Sequence, residues 1–240
     1  MQSTSIRSLR LGLPALVALA TLMTAAEASA GDFILSLGGS EQAITDDAWD
    51  YLSDDGFLSD SHLTVQVPVV DGVNVGLEYD WATETFDPYK DVSTTLGLDT
   101  LLVTSRFEHE LFGFFAPYAY VGAGFTYAFL EASFDGDDRE QSAWMFHGVA
   151  LAGLEVHLPT DWVRKFFGIA RGSYAEDLTA GFYFEGGYRL TTEASFDDLV
   201  RPEPDKKPDP EDLPLATSAI GVGSVDLSGV LLRSGLRLRF

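Results

Sequence analysis

Apolar residues recur at every second position through most of this chain, the period of strands whose two faces meet different surroundings. Eight segments carry the pattern: 32–38, 62–70, 73–81, 99–110, 115–129, 143–158, 181–193 and 226–240. The second and third flank Asp71-Gly72, a strong hairpin signal. The stretch 111–130 has no charged residue and is long enough to cross a bilayer as a helix. It also contains Gly113, Pro117, Gly122 and Gly124, each costly inside a helix. Read with period two, it sets Ala119, Val121, Ala123, Phe125, Tyr127 and Phe129 on one face. Tyr118, Tyr120, Gly122, Gly124, Thr126 and Ala128 fall on the other, and the strand reading prevails.

The connections alternate in kind. Segments two and three, and four and five, are joined by tight turns. The links at about 40–61, 82–98, 130–142 and 195–225 are long, polar and acidic. An even number of strands, with short turns at one end and long loops at the other, predicts an all-β fold. Specifically, it predicts an eight-stranded antiparallel up-and-down transmembrane β-barrel over residues 31–240. The link 159–180 breaks the rhythm. It reads as a short amphipathic helix over 160–172, capped by Thr160 or Asp161 and lying in the membrane interface. Trp162, Val163, Phe166, Phe167 and Ala170 would share its apolar face, with Arg164 and Lys165 opposite. The alternatives are an irregular loop, a longer start to the seventh strand, or a hidden strand pair that would raise the count to ten.

Charged residues cluster on one parity of many strands. Glu78, Asp80, Arg106, Glu108, Glu155, His157, Glu185, Arg189, Arg233, Arg237 and Arg239 all follow this rule. The opposite parity is nearly charge-free, as in Val73, Val75, Leu77, Tyr79 and Trp81. Alternation alone does not say which face is inside. Aromatic residues near the strand ends favour lipid outside. Tyr79, Trp81, Tyr127, Phe129 and Trp144 lie toward the long links, and Phe112, Phe114, Trp162 and Phe240 toward the short ones. Strands of about ten residues also match a tilted crossing of the hydrocarbon core.

Composition adds a compartment. Residues 1–30 read as a cleaved signal peptide, with Arg7 and Arg10 before the apolar run 11–23 and "AEASA" at the cleavage site. The chain has 15 Lys+Arg and 37 Asp+Glu; without Arg7, Arg10 and Glu27 there remain 13 and 36, a net charge of −23. Such a polyanion does not bind nucleic acid through phosphate contacts. There is no cysteine, so disulfides and thiolate metal sites are excluded. The acidic loops suit divalent cations bridging to lipid phosphates.

An eight-stranded barrel is just wide enough for side chains to fill it. Arg106, Arg189, Arg233, Arg237 and Arg239 would then face Glu78, Asp80, Glu108, Glu155 and Glu185 as a paired ionic core. The alternative is a gated polar pore.

The final strand, "VLLRSGLRLRF", resembles the C-terminal signature of Gram-negative outer-membrane proteins, with Leu232, Leu236 and Leu238 leading to a terminal Phe240. With "APYAYVGAGFTY" and "GVALAGLEVHL", the chain is similar to the OmpA/OmpX-type and opacity-type surface barrels. Ser234 departs from a fully apolar face. The resemblance implies an outer-membrane location, contact with lipid and lipopolysaccharide, and Phe240 read by the barrel-assembly machinery. A monomer is expected.

Catalytic candidates are sparse. His147 with Ser142 or a loop carboxylate is one constellation, but no motif surrounds it. His62 lies nearer the long links, and His109 and His157 fall at the short-turn end. Asp46-Asp47, Asp54-Asp55 and Asp137-Asp138 read as solvated charge. The run "DGDDRE" lacks full calcium-loop spacing. No metal or cofactor site is assigned. The expected role is non-enzymatic, structural or surface-interactive, with a narrow channel as the alternative and an outer-leaflet lipid enzyme third.

Overall fold

The computed structural model describes residues 33–46, 49, 56–89, 92–109, 111, 113–134, 137–168, 178–196 and 223–240. The leader, Phe112, Ala170 and most of 195–225 lie outside them. Eight strands close on themselves: β1 (Ile34–Ile44), β2 (Phe57–Val70), β3 (Val73–Tyr89), β4 (Val92–Glu108), β5 (Phe115–Phe134), β6 (Asp137–His157), β7 (Thr179–Thr191) and β10 (Gly229–Arg239). A helix, α1 (Thr160–Phe167), separates β6 from β7, and β8 (Ala194–Phe196) pairs with β9 (Gly223–Val225) as a small second sheet. The barrel order is β1-β10-β7-β6-β5-β4-β3-β2, antiparallel throughout, so β1 and β10 form the closing seam. Residues flanking the two strands reinforce that seam: Phe240 N–H donates to the Phe33 carbonyl at 3.0 Å, and their rings stack at 4.3 Å.

The register fixes the stagger. Asp99 pairs with Trp81, then the row passes through Ser61, Gly39, Ser234, Phe184, Leu154 and Pro117. The Pro117 carbonyl accepts from His109 N–H, so one circuit returns to β4 displaced by 109 − 99 = 10 residues. Closure therefore tilts the strands, and the apolar belt is crossed obliquely.

Two of the expected loops are largely strand, and a third is shortened. β3 runs on to Tyr89 and β4 starts at Val92, replacing most of the predicted loop 82–98. β5 reaches Phe134 and β6 starts at Asp137, replacing most of 130–142. β1 extends to Ile44 and β2 starts at Phe57, which shortens the link predicted over 40–61. The added stretches are rich in Thr and in alternating Leu, and both suit a pleated, half-buried surface. Their acidity hid them.

The expected helix is present but shorter than 160–172. Neither Thr160 nor Asp161 caps it; Pro159 occupies that position with no side-chain bond, and Gly168 closes the other end at φ 66°. Its faces also differ from expectation. Val163 is buried with Leu178 and Ala180, against which Leu158 and Leu238 pack, whereas Trp162 and Phe166 are exposed. No strand pair occupies 160–167, so the barrel has eight strands.

Candidate functional site: the barrel lumen and its cap

The lumen is built by the inward parity of the eight strands. Five arginines and six carboxylates meet there in two groups. Toward the middle, Arg233 contacts Glu78 at 2.8 Å and Asp80 at 3.2 Å, while Arg189 contacts Asp60 at 2.7 Å and Asp80 at 3.5 Å. Toward the short-turn end, Glu155 accepts from Arg106 at 2.7 Å and from Arg237 and Arg239 at 2.9 Å. Arg239 also grips Glu108 with both terminal nitrogens at 2.8 Å, and Arg106 reaches the same carboxylate at 2.9 Å. Arg237 closes the group on Glu185 at 3.4 Å. Arg106 is 0% and Glu155 1% exposed, so neither ion is screened by bulk water. Charges so buried persist only when paired, and each guanidinium here meets a carboxylate, although Arg106 Nε and Nη1 have no hydrogen-bond partner among the described residues.

Neutral groups complete the mesh. Tyr120 donates to Glu78 at 2.5 Å, Thr64 to Glu78 at 2.9 Å, Tyr118 to Glu185 at 2.6 Å, and Arg237 Nε to Ser36 at 2.8 Å. The Arg106 guanidinium lies 3.9 Å from the Tyr118 ring centre, and Arg237 4.4 Å from that of Tyr183. Gly153 is required opposite Tyr118, because a Cβ there would overlap the ring. These contacts fix the Arg106 and Arg237 guanidinium groups in orientation.

All ten ionic residues expected inside are thus placed in the lumen. Asp60 is an eleventh that the sequence reading assigned to a loop. It shares the inward parity of Thr64 and Gln66 on β2, a signal that could have found it. Gln42 was missed likewise, and it couples the lumen to what lies above. It accepts from Arg189 at 2.6 Å and its amide donates to the Leu227 carbonyl.

Above that coupling the interior changes character. Trp49, Leu58, Phe86, Leu96, Leu98, Leu130 and Met145 form a buried apolar cluster with Phe196, Val225 and Leu227 of the β8–β9 region. Trp49 meets Phe86 edge-on at 5.4 Å. Asp226 N–H donates to Asp46 at 2.7 Å and Asp226 accepts from Thr191 at 2.9 Å, so the two capping links are tied together and to β7. The long-connection end of the lumen is covered by this cap. At the other end a cleft of about 530 Å³ opens between Pro68, Asp71, Asn74, Glu108, Arg239 and Phe240.

The histidine candidates do not assemble a catalytic group. His147 is buried inside with its Nδ1 2.9 Å from the Thr126 hydroxyl, whereas Ser142 is exposed on the opposite face of β6. The two cannot act together. His62 contacts the Tyr183 hydroxyl at 2.5 Å, and His157 lies 3.3 Å from Glu155. Among the described residues no group of three acidic or imidazole side chains is arranged around a metal ion.

The outward parity is apolar below the cap. Leu101, Val103, Phe107, Val121, Phe125, Phe182, Phe184, Leu190 and Leu232 are exposed there. Leu236 and Leu238 share that parity but are half-buried; Leu238 packs against the cluster that Val163 of α1 forms with Leu178 and Ala180, at a strand face expected to be bare. Phe240 remains exposed at the rim.

No protein-family model matches the chain, and no curated protein matches it. Solved structures similar to it include the attachment invasion locus protein Ail of Yersinia pestis, at 12% identity and TM-score 0.47, covering 88% of this chain and 99% of that one. Neisserial surface protein A is similar at 10% identity and TM-score 0.44, covering 88% and 97%. The N-terminal β-barrel domain of Pseudomonas aeruginosa OprF is similar at 13% identity and TM-score 0.35, covering 88% and 97%.

Proposed function

We propose that this protein is a sealed, non-enzymatic barrel of the Gram-negative outer membrane with a structural and surface-interactive role. The observation that carries the reading is the inversion of polarity: paired ions fill the interior while Leu, Val and Phe cover the outside. Water would drive the opposite arrangement, so the outer surface belongs in lipid. The long-connection end, with the cap and the acidic links, faces the exterior beside lipopolysaccharide. The chain is exported by cleavage after Ala30 and inserted as a monomer, with Phe240, Leu238, Leu236 and Leu232 presented to the assembly machinery.

The cap supports a sealed barrel over a channel. A conduction path would have to pass Trp49, Leu130 and Phe196, all fully or nearly fully buried. In planar bilayers the purified chain is expected to give a flat trace. A steady, voltage-independent conductance in most insertions would overturn the sealed reading.

A further inference from the structure

Among the described residues, helix α1 is the one element outside the barrel that neither lumen nor cap uses. Its sequence places Trp162 and Phe166 four residues apart, one above the other on the same side. They are 68% and 84% exposed, while Val163, between them in sequence, is 2% exposed against Ala180 and Leu238. Ala180 and Leu238 pair directly across β7 and β10, on the same parity as Phe182 and Phe184. The helix is therefore clamped to the outer wall at the short-turn end, continuous with the apolar belt above it. Trp162 and Phe166 are exposed at that edge.

Neighbouring chemistry selects the occupant. Lys165 is exposed beside the aromatic pair, and Arg164 and Lys165 both sit in the helix's last turn. A ridge of Trp and Phe flanked by basic groups matches the boundary between acyl chains and anionic phospholipid headgroups. We propose that α1 is a lipid anchor, with Trp162 and Phe166 inserted at the headgroup–acyl boundary of the inner leaflet and Lys165 against phosphate. Val163 clamps the anchor to the barrel through its cluster with Leu178 and Ala180, against which Leu238 of the final strand packs. This rests on the membrane reading of the belt. In consequence the anchor would hold the barrel at a fixed depth and shield the end of β10 once folding is complete.

The test uses full-length protein with single tryptophans, in vesicles of phosphatidylcholine and phosphatidylglycerol carrying bromine near the headgroup end of the acyl chains. One variant keeps Trp162 (Trp49→Phe, Trp81→Phe, Trp144→Phe), and a control keeps Trp81 (Trp49→Phe, Trp144→Phe, Trp162→Phe). Trp162 emission is expected to be blue-shifted and to fall about two-fold or more, as an interfacial residue's should. Adding Phe166→Ser to the Trp162 variant should weaken that quenching. Trp162 unquenched and red-emitting, with Trp81 quenched in the same vesicles, would overturn the anchor while leaving the barrel in lipid. If neither is quenched, the anchor falls together with the membrane reading beneath it.

Discussion

Two cores lie along one barrel axis, and the same strands build both with opposite polarity. Below Trp81, β3 points Glu78 and Asp80 inward and Leu77 and Tyr79 outward; above it, Ala82 and Phe86 turn inward and Thr83 and Thr85 outward. β4 repeats the change, with Arg106 and Thr104 inside below and Leu96 and Leu98 inside above. Backbone geometry is unchanged across the boundary. On the membrane reading, what changes is the surrounding medium, and the residue pattern follows it. In lipid the outside is already apolar, so the interior takes the ions; in water the interior is apolar, as in a soluble domain. Gln42, bonded to Arg189 below and Leu227 above, marks the joint.

The sharpest way to separate the two cores is to break the ionic one. Glu155→Ala leaves Arg106, Arg237 and Arg239 without their shared partner, and a cost of about 3–5 kcal/mol is expected. Reversible urea unfolding from vesicles measures it; a loss below about 1 kcal/mol, the worth of an exposed pair, would mean the site is open to water. In the apolar core, Leu130→Ala should cost about 2–5 kcal/mol by leaving a cavity. That loss is expected to stay local. Hydrogen exchange should speed at the cap strands and remain slow in the belt, and uniform loss of protection would show that the two cores are one unit.

Gly153→Ala probes packing without touching a charge. Its new methyl displaces the Tyr118 ring from beneath Arg106, and about 1–3 kcal/mol is expected from the same unfolding measurement. The smallest effect is expected at Thr85→Ala. Thr85 shares an exposed 3.2 Å contact with Thr95 on the outer side of the upper hairpin, and its removal should change stability by no more than about 0.5 kcal/mol. A larger loss would indicate a covered surface there.

Much of the lower core was legible because period two and charge coincide on β3, β4, β6, β7 and β10. Glu78, Arg106, Glu155, Arg189 and Arg233 announce their face by parity alone. The upper core was not legible. Leu96, Leu98 and Leu130 lie among Thr, Asp and Glu, and the polarity switch near Trp81 makes a strand look like the start of a loop. Asp60 was lost for the same reason, since an acidic stretch preceded it. Trp49 and the Phe196–Val225 contacts depend on chain segments meeting across the barrel mouth, which no local pattern encodes. The helix was visible as an amphipathic stretch, but which apolar residue turned to the barrel depended on Ala180 and Leu238 being adjacent.

The inversion itself is open to one direct measurement, a single-cysteine scan of β5 from Ala119 to Ala128. The chain has no native cysteine to interfere. Spin labels at each position in vesicles are read for collision with oxygen and with a water-soluble nickel chelate. Positions 119, 121, 123 and 125 are expected to favour oxygen, with labels at 120 and 126 immobile and reached by neither reagent. Nickel access at 121, 123 and 125 equal to that of an exposed loop would contradict the account, because the apolar face would then be in water.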